Sequence, residues 1–493
     1  MLPSTAATTD HATGSNLPRG ATTVIALLVG LAGVAAVLTP IDPRPVLVVI
    51  GVGAAVLFVL HVELTAAALA AVIAGNLTSV AVNVHGVPSP SLALAALLLI
   101  GILRRPDRLH FLPPPALVWV LSLYGLVVLA SALWAGDPER TLVVTYGMTR
   151  DIVLGTLVAV TAVRTSSLRL VLGVMVGTIA ALATISSVQY LTGSFGTSYF
   201  GLSEAVVANI VGGDDDWRVT GTLGDPNYYA QALTVGTALA LGLFVHARSH
   251  LTRLALAGAL IVTVLGVVTT FSRGGFLALA GLIAAVLFLH LSRRQAMSLL
   301  VAGMVVLVVL LPGEFRDRLM AAGDVGTSAT SAPQDAAVAG RLSEMLAGAA
   351  MFVDEPLLGV GAGNYPARYQ EYSQRFQLDP RRMEREAHSL YVEVAAEIGV
   401  LGLAAAGVVL IASGRSLARH ARRQGSSPAE RLVSEAIGLG LLAFLLTSVF
   451  LHAAHGRLLW LLLALALCLP CDPVRPEVLT DPARGTTFLS VPR

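Results

Sequence analysis

The chain contains no lysine; all 32 of its strongly basic residues are arginine. Schiff-base catalysis through a lysine amine is therefore excluded. Cysteine is nearly as scarce, with Cys468 and Cys471 the only two. They form a C-x-x-C beside Pro470 at the end of an apolar run. With no βαβ context this is not a thioredoxin-like motif, and two cysteines supply neither a disulfide scaffold nor a zinc site. Charge is the third shortage. Only 13% of residues are Asp, Glu, Lys or Arg, against about 25% in a soluble globular chain. That is too little to coat a water-facing surface, and a disordered chain would need more still. A net charge of +2 gives no nucleic-acid signal. No internal repeat supports an inverted-repeat transporter plan.

Apolar sequence is what remains. Hydrophobic residues make up 55% of the chain, and the mean hydropathy is +0.77. Length alone, 493 residues, would suggest about three soluble domains. Composition replaces that expectation with an all-α polytopic membrane protein. Arginine in place of lysine, with abundant Ala, Val and Leu, suggests a GC-rich bacterial genome.

Apolar runs long enough to span a bilayer predict about 14 transmembrane helices (12–14). They fall near 21–38, 45–60, 63–82, 88–103, 115–135, 150–163, 168–190, 226–246, 251–270, 275–290, 296–312, 390–413, 432–451 and 457–470. Arginine placement sets orientation. One set of short loops holds Arg104, Arg105, Arg108, Arg164, Arg169, Arg248, Arg253, Arg293, Arg294, Arg415, Arg419, Arg422, Arg423 and Arg431. The alternating set holds only Arg140, Arg150, Arg218 and Arg273. The first side is expected to be cytoplasmic. The organisation that follows is a cytoplasmic tail over 1–20 and a transmembrane bundle over 21–312. A large extracytoplasmic loop with short helices covers 313–389. Transmembrane helices over 390–470 and a cytoplasmic tail over 471–493 complete the chain. Within the large loop, Gly323 to Ala336 reads as mobile. From Gly340 to Phe352 the residues Leu342, Met345, Leu346, Ala349 and Phe352 mark an amphipathic helix. Its apolar face would lie on the membrane surface or on the bundle.

Four clusters fall on the expected outer face. In Arg218-Val-Thr-Gly-Thr-Leu-Gly-Asp225-Pro226-Asn227, a helix N-cap explains Asp225 and Pro226, but not Arg218. Phe271-Ser272-Arg273-Gly274-Gly275 is a tight turn between spans. Its arginine is either a snorkelling anchor or, with two glycines allowing close approach, part of an anion cradle. Arg341 opens the amphipathic helix, where a cation opposes the helix dipole and is a candidate ligand-binder. Beyond it, Gly359-Val-Gly361-Ala-Gly363 follows no strand and reads as a flexible loop packing near a helix, not a nucleotide fingerprint. His388, at the start of the span 390–413, is the only histidine of the large loop, and Glu393 and Glu397 follow inside that span. Ionisable residues in a span are functional candidates, though they could simply pair with an arginine such as Arg150.

In order and spacing, Arg-x-Thr-Gly-Thr with Asp-Pro-Asn, Thr-Phe-Ser-Arg-Gly-Gly, Gly-Arg with Asp-Glu-Pro-Leu-Leu-Gly-Val-Gly-Ala-Gly-Asn-Tyr, and His-Ser-Leu-Tyr-x-Glu resemble the O-antigen ligase and polymerase superfamily. The likeness runs from about Arg218 to Gly402. It departs at His388-Ser389, where the family usually has His-Asn. It implies a GT-C type bacterial glycosyltransferase of the cytoplasmic (inner) membrane, with its active site outside. Such an enzyme moves a glycan from an undecaprenyl- or similar polyprenyl-pyrophosphate carrier to the hydroxyl of a glycan or glycolipid. Cofactor and metal are not required, because pyrophosphate already leaves readily, and direct attack would invert the anomeric centre. On this reading Arg218, Arg273, Arg341 and Arg150 bind pyrophosphate through bidentate forks. His388 is the base, with Arg341 and Arg273 completing the catalytic set, and Asp225, Asn227 and Glu393 support it. Two alternatives stay open: a polymerase of the same superfamily, and a transporter or flippase for lipid-linked glycans.

Overall fold

A computed structural model describes residues 111–207, 217–299, 336–378, 384–423, 428–452 and 456–469, with isolated helical positions before 111 and two short strands near the C-terminus. The spans expected at 21–38, 45–60, 63–82, and most of 88–103 and 296–312, lie outside these residues. So do the tail 1–20, most of 471–493, and 313–335 with its Gly323-rich stretch.

Eleven helices are described: α1 (Pro115–Ala130), α2 (Pro138–Arg164), α3 (Leu168–Leu191), α4 (Pro226–Val245), α5 (His250–Thr269), α6 (Arg273–His290), α7 (Ala336–Asp354), α8 (Tyr365–Arg375), α9 (Leu390–Arg422), α10 (Pro428–Thr447) and α11 (Arg457–Cys468). Seven of the described helices are long and apolar enough to cross a membrane, namely α1 (extended to Leu133), α2 to α6, and α9. α4 is the most enclosed of the seven: 72% of its apolar window is buried, against 28% for α1 and for α5. α3, α5 and α10 pack around α4, and α11 packs on α2.

The fold is not purely helical. β1 (Glu204–Val207) and β2 (Trp217–Gly221) form an antiparallel hairpin, and β3 (Val478–Thr480) pairs with β4 (Thr487–Leu489). The β1 and β2 segments are too short to span and rich in β-branched or aromatic residues, which suit a pleated pair.

α2 begins twelve residues earlier than the expected span at 150. Asp137 accepts from the backbone amides of Glu139 and Arg140 at 3.1 and 3.3 Å, and Pro138 takes the first helical position. Arg150 is therefore not at a helix start. It lies about three turns inside α2. α9 likewise extends to Arg422, so Arg415, Arg419 and Arg422 ride on a helix rather than in a loop.

α7 starts at Ala336, so Arg341 stands in its second turn. Its buried stripe is Gly340, Glu344, Ala347, Gly348 and Met351, which packs on α9. The apolar residues Leu342 and Leu346 face outward. Small residues, Met351 and one carboxylate, rather than the stripe of Leu342 and Leu346, meet the bundle.

α9 is broken at Gly399, which has φ 61° and ψ −159°. The break exposes polar backbone, and the loop after α7 satisfies it. Val360 N–H donates to Ala396 O at 2.9 Å and Gly361 N–H to Glu397 O at 2.8 Å. Val400 N–H donates back to Pro356 O at 2.8 Å. The approach is so close that a Cβ on Gly359 would sit 2.4 Å from the Glu397 carbonyl carbon, and one on Gly399 2.5 Å from that of Leu357. Gly359-Val-Gly361 is thus spliced into a membrane helix, which is how non-helical backbone is tolerated at that depth.

Candidate active site

α2, α4, α6, α9 and α11 all begin at one end of the bundle, and the four sequence clusters gather there. Asp225 caps α4, accepting from Asn227 N–H at 2.7 Å and Tyr228 N–H at 3.1 Å. Arg218, on β2, donates from Nε to Thr270 O at 2.8 Å and from its guanidinium to Asn227 Oδ1 at 3.4 Å. Ser272 Oγ–H donates to the same Asn227 oxygen at 2.9 Å and caps α6 by accepting from Gly275 N–H at 3.3 Å. Arg218 and Asn227 thereby fix the turn that presents Arg273 at the first position of α6. The two glycines after Arg273 serve helix packing. Their Cβ positions would fall 2.8 Å from Phe450 and 2.6 Å from Ala230.

The second half of the end is built around His388. Its backbone has φ 48°, and Phe271, just before α6, has φ 51°. Left-handed backbone at a non-glycine residue costs on the order of 1–3 kcal/mol and clusters at functional sites. His388 Nε2 stands 3.3 Å from Oε2 of Glu344, whose other oxygen accepts from Arg385 Nε at 2.6 Å. Glu344 is buried. The ring of His388 lies edge-on to that of His452 with centroids 5.3 Å apart, and His452 Nε2 is 3.8 Å from Glu386 Oε2. Tyr228 O–H donates to His452 O at 2.5 Å, tying this cluster to the Asp225 cap. Burial, then the Arg341 charge, pushes the His388 imidazole down to about 3. Burial also takes His452 down to about 4 and raises the Glu386 carboxyl above its ordinary range. Both rings are neutral at physiological pH. Among the described residues, neither Nδ1 atom has a hydrogen-bond partner.

Two cavities adjoin this end. The larger, about 710 Å³, is lined by the starts of α2, α4 and α9, with Arg140, Tyr228, Glu384, Glu386, Glu393, Glu397 and His452 among its walls. Arg140 grips Glu384 with two hydrogen bonds of 2.9 and 2.7 Å across its rim, holding that carboxyl below its usual range. Glu397 accepts from Tyr365 N–H at 3.2 Å, a backbone amide rather than the arginine that was one alternative. The smaller cavity, about 470 Å³, is mainly apolar and holds Arg150, Asp151 and Arg457. Arg150 pairs with Asp151 at 3.0 Å, and Arg457 approaches the same carboxylate at 3.8 Å.

Of the sequence-derived candidates, Arg341 and His388 share one cluster, and Arg218, Asp225, Asn227 and Arg273 share the adjoining one. Glu393 lines the larger cavity and Arg150 the smaller. Arg218, Arg273 and Arg341 line neither. His452, Glu344, Arg385, Tyr228 and Arg457 were not among the candidates. A titratable residue just past an apolar run at this same end was the available signal for His452.

No curated protein matches the chain. Residues 258–407, which run from α5 through the first half of α9 and beyond its break, match the family model described as O-antigen ligase. That segment is similar to the O-antigen ligase and polymerase type of membrane enzyme, and it sits in a chain whose described residues include seven helices long and apolar enough to cross a membrane.

Proposed function

We propose that the protein transfers a glycan from a polyprenyl-pyrophosphate carrier to an acceptor hydroxyl, with inversion, without metal, on the outer side of the cytoplasmic membrane. The observation that carries this reading is the state of His388: neutral, set beside Glu344, with Nδ1 free of hydrogen bonds among the described residues. A carboxylate at Nε2 holds the proton on that nitrogen and leaves the Nδ1 lone pair as acceptor. The acceptor oxygen attacks the anomeric carbon from the face opposite the carrier. The anomeric carbon–oxygen bond to pyrophosphate breaks, the electron pair leaves with the phosphate, and the hydroxyl proton passes to His388 Nδ1. Arg218, Arg273 and Arg341 meet the growing negative charge with guanidinium donors. Arg150, in the apolar smaller cavity, binds carrier phosphate where the prenyl chain lies in hydrocarbon.

Purified protein in lipid nanodiscs, given carrier-linked glycan extracted from cells lacking this gene and delipidated envelope glycan from the same cells, tests the reading. A new glycosidic bond of inverted anomeric configuration, formed equally with EDTA present, is expected. Growth of the carrier-linked chain alone would move the reading to the polymerase. The Arg150–Asp151 pair stands about three turns inside α2 and favours a transporter as the second reading. That reading predicts movement of donor across vesicles with no bond formed.

A further inference from the structure

His388 does not line the larger cavity; His452 does. The two rings meet edge-on at 5.3 Å, so an acceptor hydroxyl entering from the cavity reaches His452 before it reaches His388. His452 is fixed from behind by Tyr228, whose hydroxyl donates to its carbonyl and whose ring packs against its imidazole at 5.4 Å. Its Nε2 faces Glu386 at 3.8 Å, a gap that leaves both atoms room to share one hydroxyl. Its position lies outside residues 258–407.

We propose that the 710 Å³ cavity is the acceptor subsite, and that His452 is its specificity-determining contact, seating one hydroxyl of an uncharged polyhydroxylated glycan against Glu386 and handing it to His388. This rests on the transferase reading above and adds the acceptor class. Neutral imidazole and carboxylates are the partners that sugar hydroxyls use, since each hydroxyl both donates and accepts. The wall beside His452 also carries Glu393 and Glu397, while Arg140 is already engaged by Glu384. An acceptor bearing phosphate or carboxylate near its reacting hydroxyl would meet like charge, and Arg140, the one arginine among the described lining residues, is committed to Glu384. Donor phosphate and acceptor sugar are thereby kept in separately charged sites.

The test is steady-state transfer with the carrier-linked donor held fixed. The delipidated envelope glycan is split by anion exchange into neutral and anionic pools. Wild-type protein is expected to consume the neutral pool. His452→Ala should raise the acceptor KM at least tenfold while lowering kcat less than fivefold, and His452→Gln should recover most of the KM. His388→Ala should do the reverse, losing kcat with KM little changed. Unchanged KM in His452→Ala, a collapse of kcat there instead, or use of the anionic pool alone would each overturn the proposal while leaving the transferase reading in place. Absence of transfer by wild-type protein from either pool would overturn that reading itself. Retention of the wild-type unfolding temperature by His452→Gln separates a lost contact from a lost fold.

Discussion

Histidine and glutamate meet at both ends of this bundle, and the two ends treat them differently. At the far end, His246 after α4 and His290 closing α6 both place Nε2 2.9 Å from one carboxylate, Glu435 of α10. Both imidazoles stand at helix C-termini, where positive charge is favoured, and their side chains are 30% and 41% exposed. Each Nε2 has a carboxylate oxygen at hydrogen-bond distance, and the arrangement ties three helices together. At the other end, His388 and His452 are 23% and 16% exposed, each has an Nδ1 without a partner among the described residues, and their carboxylates stand off at 3.3 and 3.8 Å. Leaving a buried polar atom unpaired costs about 1–3 kcal/mol. The same two residue types therefore make a clamp where they are satisfied, and a site where hydrogen-bonding capacity is held in reserve for a substrate.

That contrast breaks most easily at the arginines. Arg273→Lys and Arg341→Ala are expected to lower transfer at least tenfold, about 1.4 kcal/mol of transition-state stabilisation, because lysine lacks the bidentate fork. Transfer at the original rate by both variants would reduce these residues to interfacial anchors. Next in size is Gly399→Ala. The added Cβ would meet Leu357 backbone at 2.5 Å at a φ of 61°, so unfolding in detergent should shift by about 2–3 kcal/mol. An unshifted transition would show that the break in α9 is not held by the inserted loop.

Acid comes third. The folded-state values of His388 and His452 lie near 3 and 4, below the ordinary 6.5. Between those limits the unfolded chain binds more protons, so the associated stability is present above pH 6.5 and is lost as pH falls toward the folded values. Thermal unfolding should drop from pH 6.5 to 4, and His388→Gln should flatten that slope. Over pH 5 to 8 the titration of these two rings should leave transfer level. An acid limb centred near pH 6.5 that vanishes in His388→Gln would contradict the burial argument. The smallest effect belongs to the far end, where His290→Ala should change turnover less than about twofold and stability by less than about 1 kcal/mol, as a half-exposed pair does.

From residue 115 onward the helices were largely legible, because apolar runs and the Asp225-Pro226 cap are local signals. The start of α2 was legible in principle from Asp137-Pro138. The charges at Arg140 and Arg150 pointed to a loop instead, since a span rarely carries them. The break at Gly399 was not legible. A glycine in an apolar run is silent until the backbone from 356 to 361 supplies its hydrogen bonds. The buried face of α7 ran against the apolar periodicity because Glu344, at the centre of that stripe, finds Arg385 and His388 far along the chain. The four clusters, which arginine asymmetry had put on one face, gather at one end of the bundle. His452 stayed hidden because its meaning lies entirely in contacts with residues 64 and 224 positions away, His388 and Tyr228.

The most direct measurement is single-turnover transfer by His388→Ala protein beside wild type, with carrier-linked donor binding measured on the same samples. A general base contributes roughly 10²–10⁴-fold, so the variant should bind donor normally and transfer at least a hundredfold more slowly. Near-normal transfer by His388→Ala would contradict the account.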